Sequence, residues 1–184
     1  AGARGADYVD VAKTGAVDVH MEKTPLLCSG TRAADVAEIF ERIASPIQNV
    51  GEKPGDATSL KLLRSVFTKG FEALTIECLT TAQKRGVRAQ LHEILSDMDR
   101  TPLKSLMESI VRTHIPHSGR RRNEIVEAQR QVRTAGIEPL VLPGAQQVYE
   151  RTIRHQAVVP YHGSDVDHAL QWLIDAAAIA ADPS

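Results

Sequence analysis

The sequence predicts a small α/β layer leading into an all-helical region, on three observations. β-prone runs fall only within residues 8–50, apolar residues recur at helical spacing from Pro54 onward, and glycine and proline cluster at the change, in residues 51–55. The length of 184 residues suits one ordinary domain or one and a half small ones.

The strands are expected at residues 8–12, 25–28 and 47–50, the first following Gly5 and Ala6. Between the last two, residues 33–43 place Val36, Ile39, Phe40 and Ile43 on one helical stripe, with Asp35, Glu38, Glu41 and Arg42 mostly outside it. Such a helix covers a sheet. One helix and three short strands cover a single face and leave an edge unpaired, so more sheet is expected upstream.

Residues 56–85 contain no proline and one interior glycine, and Leu60, Leu63, Phe67, Leu74 and Cys78 follow a helical period. One helix of about 45 Å is expected there, ending at Gly86 and either joining the two regions or packing against a second subunit. Further helices are expected at residues 91–99, 102–114, 119–135, 143–155 and 165–180. Ser164 suits an N-cap with Asp167 behind it, Pro143 a first helical turn and Gly136 a C-terminal stop.

Composition narrows the functional classes. Hydrophobic residues make up 42% and charged residues 24%, which excludes a disordered or fibrous chain. Lys plus Arg number 22 against 23 for Asp plus Glu, so no overall field attracts polyanions, and 4% aromatics give no stacking platform for nucleic acid. The longest apolar run is interrupted by Gln171 and Asp175 and falls short of the ~20 residues of a membrane span. Cys28 and Cys78 have no CxxC spacing and read as reduced, core-packed thiols, which places the protein in the cytoplasm. The chain opens Ala-Gly-Ala-Arg with no signal-peptide pattern, as if taken from something longer.

Two constellations can carry chemistry. In the first, residues 10–16, Thr14 offers a hydroxyl and Gly15 and Ala16 small residues just after a strand, a suitable place for backbone N–H groups to cradle a carboxylate. The same residues also suit an ordinary strand-to-loop turn. In the second, the glycine turn delivers the chain into the long helix, with Lys61 and Ser65 four apart on one face. A lysine shielded by Leu60, Leu62 and Leu63 can act as general acid or base, whereas a solvated lysine is the plain alternative.

These residues resemble a family. The order Asp10-Val-Ala-Lys-Thr14-Gly15-Ala16, then Pro25-Leu-Leu-Cys-Ser-Gly30, then the glycine turn and Lys61, is similar to the β-hydroxyacid dehydrogenase superfamily, which includes 3-hydroxyisobutyrate and 6-phosphogluconate dehydrogenases. Residues 63–70 and 117–124 are similar to a branch with a distinctive C-terminal helical domain. The resemblance implies a remnant of a Rossmann domain at 1–52 and an all-α domain like the C-terminal domain of 6-phosphogluconate dehydrogenase at 53–184. It puts the substrate motif on Asp10, Thr14, Gly15 and Ala16 and the catalytic lysine on Lys61.

What the resemblance implies for activity is NAD or NADP-dependent oxidation of a small hydroxy acid by a homodimer, with Lys61 exchanging a proton with the substrate hydroxyl. Imine reductases share the architecture, so a carbon–nitrogen substrate stays open, as does a helical dimerisation module without chemistry. Two departures concern substrate choice: Ser65 stands where many members have asparagine, and Ala16 where the motif ends in glycine. The glycine-rich dinucleotide turn occurs nowhere in these residues, so this chain alone is expected to lack the cofactor-binding half. His117 and Arg121, within the basic run 120–122, are read as holders of a substrate carboxylate or phosphate, or as a solvated helix start paired with Glu124 and Glu127. His114 and His117 lack further ligands of zinc-site type, and no metal is expected.

Overall fold

In a computed structural model of the chain, residues 7–15, 21–43 and 45–179 are described. The fold consists of two compact units, Ala1–Glu72 and Ala73–Ser184.

The first unit holds the sheet. Strands β1 (Asp10–Lys13), β2 (Leu26–Ser29) and β3 (Ile47–Asn49) lie in the order β1-β2-β3. β1 runs antiparallel to β2, pairing Asp10 with Ser29 and Lys13 with Leu26, while β3 is parallel to β2. A parallel pair requires a crossover, and helix α1 (Ala33–Arg42) provides it. The face of α1 turned inward differs from the expected stripe: Ala33 is buried and Val36, Ala37 and Phe40 half-buried, whereas Ile39 and Ile43 are 58% and 69% exposed. Two alanines let the helix lie close on a narrow sheet, which turns the larger β-branched residues outward.

The long helix forms as expected: α2 runs Asp56–Lys84. Its end is set by Gly86, whose φ of 72° lies in the left-handed region, and Val87 N–H closes back on the Ala82 carbonyl at 3.0 Å. Gly136, with φ of 71°, ends a second long helix by the same geometry.

The second unit continues with α3 (Arg88–Ile94), α4 (Ser96–Asp99), α5 (Leu103–Thr134), α6 (Leu142–Val158) and α7 (Val166–Ile179). The helix expected at 91–99 is two short pieces. The two expected at 102–114 and 119–135 are one, running through Pro116. Proline removes one helical donor, but Ile115 and Ser118, 0% and 1% exposed, hold the chain on either side of it, and the Ser118 hydroxyl donates to the Ile115 carbonyl at 2.9 Å. Ile115, Ala169, Trp172 and Ala176 form the core, with Val111, Tyr161 and Leu173 packed against it. Asp165, not Ser164, caps α7, its Oδ1 accepting the His168 N–H at 2.8 Å. Pro143 lies in the first turn of α6 as expected. No described helix is long and apolar enough to cross a membrane.

Candidate functional site

In the first unit the motif strand is fastened to the start of α2. Asp10 is buried, its Oδ2 accepts the Thr58 N–H at 2.8 Å and its Oδ1 the Thr58 hydroxyl at 2.7 Å. Beside it, Ser29 at the end of β2 accepts the Ala57 N–H at 3.0 Å. These are orphan donors of the first helical turn, where the helix dipole favours an anion. The hydroxyl and then the amide of Thr58 hold the Asp10 carboxyl below its ordinary value, burial opposes them, and Ser29 adds a smaller push in the same direction as Thr58.

This clamp positions the helix that carries the lysine, for Lys61 follows Thr58 by three residues. Lys61 itself is exposed, as are Leu60, Leu62 and Leu63 at 44%, 58% and 64%. The shielding expected from its apolar neighbours is therefore absent within the chain, because α2 turns those side chains to the surface. Ser65 donates its hydroxyl to the Lys61 carbonyl at 3.1 Å, a bond within the helix. Lys69, two turns further, is paired with Glu72 at 2.6 Å.

Thr14 lies just past the other end of β1. Its N–H and hydroxyl both donate to the Pro25 carbonyl, at 2.8 and 3.1 Å, and Gly15 follows with φ of 113°. Ala16 lies outside the described residues. Among the described residues, no hydrogen bond joins Thr14 or Gly15 to Lys61 or Ser65. The structure thus brings together Asp10, Ser29 and the start of α2, and leaves Thr14 and Gly15 at the opposite end of the strand.

His117 and Arg121 belong to the second unit, on α5. His117 is exposed. Arg121 is half-buried and donates Nη2 to the Thr113 hydroxyl at 2.9 Å. Of its neighbours, Arg120 is paired with Glu124 and Arg122 with Glu150 at 3.2 Å. Among the described residues no group of three metal-ligating side chains occurs.

Some placements escaped the sequence. Glu77 is buried in α2 and receives the N–H groups of Leu140, Val141 at 2.8 Å and Leu142 at 3.3 Å, holding the start of α6. Pro143 signals that helix start, but nothing local signals its anion. A cleft of about 540 Å³ in the second unit is lined by Tyr161, His168, Trp172 and Asp175 among others, none of them among the expected site residues.

A dinucleotide does not fit the described residues. Its pyrophosphate needs free N–H groups at a glycine-rich strand-to-helix turn. At the start of α2 those of Ala57 and Thr58 are taken by Ser29 and Asp10. At the start of α1, Gly30 has φ of 134° and lies so close to its own chain that a Cβ there would meet the Tyr8 carbonyl oxygen at 2.7 Å. That glycine accommodates the protein's backbone.

Comparison with known proteins places this arrangement. Residues 82–152 match a domain of unknown function, DUF1932. An uncharacterized 28.5 kDa protein from Methanothermus fervidus is 31% identical over 143 residues, covering 78% of this chain and 55% of that protein. An imine reductase from Aspergillus terreus, in complex with NADPH4 and dibenz[c,e]azepine, superposes with a TM-score of 0.68 at 18% identity, over 95% of this chain and 62% of its own. An imine reductase from Bacillus cereus gives 0.63 at 15% identity, over 91% and 59%. The chain therefore spans little more than half the length of these relatives. Its fold is a Rossmann-type α/β segment followed by an all-helical domain, the fold of the imine reductases on which it superposes.

Proposed function

We propose that this chain is the substrate-side part of an NAD(P)-dependent oxidoreductase that acts on a small hydroxy acid, Lys61 serving as the group that exchanges a proton with the substrate hydroxyl. Thr14, Gly15 and Ser65 hold the acid, and Asp10 is a positioning residue. The observation that carries this reading is the Asp10 clamp on Thr58, which ties the motif strand to the helix turn just before Lys61. A lysine amine at that point can take the proton and, as the ammonium, return it, whereas a guanidinium does neither near neutral pH. An imine substrate is the second reading, favoured by the fold match to imine reductases.

Lys61 is exposed within one chain, and so are Leu62, Leu63, Val66 and Phe71 along the same helix. A second copy covering this helix would bury them and shield the lysine, so a homodimer belongs to the proposal. Light scattering showing monomer at all concentrations would remove it. Because the described residues offer no pyrophosphate cradle, the 184-residue chain alone should show no saturable NAD or NADP binding in calorimetry.

The deciding experiment uses the full-length enzyme. Lys61→Ala should lower turnover by about 10²- to 10⁴-fold with cofactor affinity unchanged. Lys61→Arg should not rescue it, while Lys69→Ala, at a position paired with Glu72, should stay near the parent rate. Full activity in Lys61→Ala would take Lys61 out of the mechanism.

A further inference from the structure

Helix α7 forms one wall of the cleft of about 540 Å³ in the helical unit. His168, Trp172 and Asp175 recur along it at helical spacing and so share one stripe, with Asp165 capping its start. The loop before the helix adds Tyr161, whose ring meets that of Trp172 edge-on with centroids 6.0 Å apart. Trp172 is fixed by its Nε1–H, which donates to the Val159 carbonyl at 3.1 Å.

The permanent charge in this cleft has one sign. Asp165 and Asp175 both line it, both are exposed, and no lysine or arginine lines it with them. Asp165 is bonded to the amide and the ring of His168, and Asp175 accepts from Gln171 Nε2 at 3.1 Å. Among the described residues, neither carboxylate has a lysine or arginine within ion-pair distance. Each keeps acceptor capacity, since a carboxylate offers about four lone-pair sites. The loop is also weakly tied: among the described residues, 160–164 make no hydrogen bond, and the Tyr161 hydroxyl is buried without a partner. An orphan hydroxyl and an untied loop beside unpaired carboxylates suit an occupant that brings N–H donors.

We propose that this cleft binds an aliphatic amine as its ammonium ion, the charge against Asp165 and Asp175 and the carbon chain on Tyr161 and Trp172. A carboxylate pairs with an ammonium, and an aromatic ring attracts both a cation and hydrocarbon, so the two kinds of wall select the same molecule. The ten residues from Asp165 to Asp175 span about 15 Å along the helix, room for a chain with one charge or with a charge at each end. The inference does not rest on the reading of Lys61, since binding an amine requires no turnover.

The test follows the fluorescence of Trp172, the chain's single tryptophan, while the 184-residue chain is titrated with butylammonium and, separately, spermidine. Sodium chloride holds the ionic strength constant. A saturable change is expected, with none for neutral butanol. Saturation by butylammonium, with or without spermidine, names a simple alkylammonium, and saturation by spermidine alone a polyamine. Asp175→Asn should weaken binding by about fivefold or more, and Glu124→Gln, at an exposed carboxylate paired with Arg120, should not. A linear response to both amines, or a butanol response equal to theirs, overturns the proposal with the parent chain alone, whether or not the variants fold. Undiminished saturation in the double variant Asp165→Asn, Asp175→Asn overturns it as well.

Discussion

Asp10 and Glu77 do the same physical work in the two units: each is a buried carboxylate set against the first turn of a helix formed elsewhere in the chain. They differ in what they hold. Asp10 grips both the amide and the hydroxyl of one residue, Thr58, with Ser29 holding the next amide along. Glu77 grips three consecutive amides and no side chain. The first arrangement fixes one helix at one register, as needed when a particular side chain three residues on must reach a substrate. The second fastens a helix start to the core of the unit, and no expected site residue follows it. Similar anchors can therefore serve a site or serve packing, and the side-chain bond to Thr58 is what separates them.

The Glu77 anchor should be the more costly to lose. Glu77→Ala leaves three backbone donors without a partner at a buried helix start. Hydrogen bonds to a charged group contribute about 1.5–3 kcal/mol each, and with water partly replacing the carboxylate a loss of roughly 3 kcal/mol is expected. Glu77→Gln keeps one acceptor oxygen and should lose about half as much. Denaturant midpoints at unchanged m-value would measure both, and a loss under about 0.5 kcal/mol in Glu77→Ala would show that the three bonds do not hold α6.

Asp10→Asn should cost less, about 1–2 kcal/mol, because one oxygen still accepts from Thr58. Its signature lies in pH. The folded carboxyl of Asp10 sits below its ordinary value of 3.8. Its contribution is therefore present above that value and is lost as pH falls through the still lower folded value. The stability gap between parent and Asp10→Asn should be constant near neutrality and close below about pH 3.8. A gap that stays constant through acidification would mean the clamp does not depend on charge. On the function proposed above, Asp10→Asn should also lower the turnover of the full-length enzyme through Lys61, whereas Glu77→Gln should change stability only.

Local patterning made much of this fold legible. The order of three strands, the crossover helix and α2 followed from periodicity, and Gly86 and Gly136 stop helices where their sequence positions suggest. What local patterning could not supply is what reaches across the chain. Asp10 and Thr58 are 48 residues apart, and Glu77 and Val141 64 apart. Pro116 misled for the same reason: the packing of Ile115 and Ser118, supplied by residues far along the chain, outweighs the proline's local preference. At the candidate site, the motif order singled out Asp10 and Lys61, but not that Lys61 would be exposed or that Arg121 would bond to Thr113. Those depend on how helices turn their faces.

The smallest effect should come from Ser29. Its side chain is fully buried, and its hydroxyl accepts the N–H of equally buried Ala57 while helping to hold the Asp10 carboxyl low. Ser29→Ala removes a neutral bond and leaves one buried amide unpaired, a loss of about 1 kcal/mol. If Asp10 and Ser29 act as one clamp, the loss should not add to that of Asp10→Asn, because each variant already loosens the other's partner at the helix start. The same substitution combined with Glu77→Gln should add, since the two share no partner. A second readout follows the proton: with one donor gone, the Asp10 carboxyl should move up toward 3.8 in Ser29→Ala, visible in its carboxyl ¹³C titration. Simple additivity with Asp10→Asn and an unmoved Asp10 titration would reduce the clamp to the Asp10–Thr58 pair, leaving Ser29 as a residue that merely fills the end of β2.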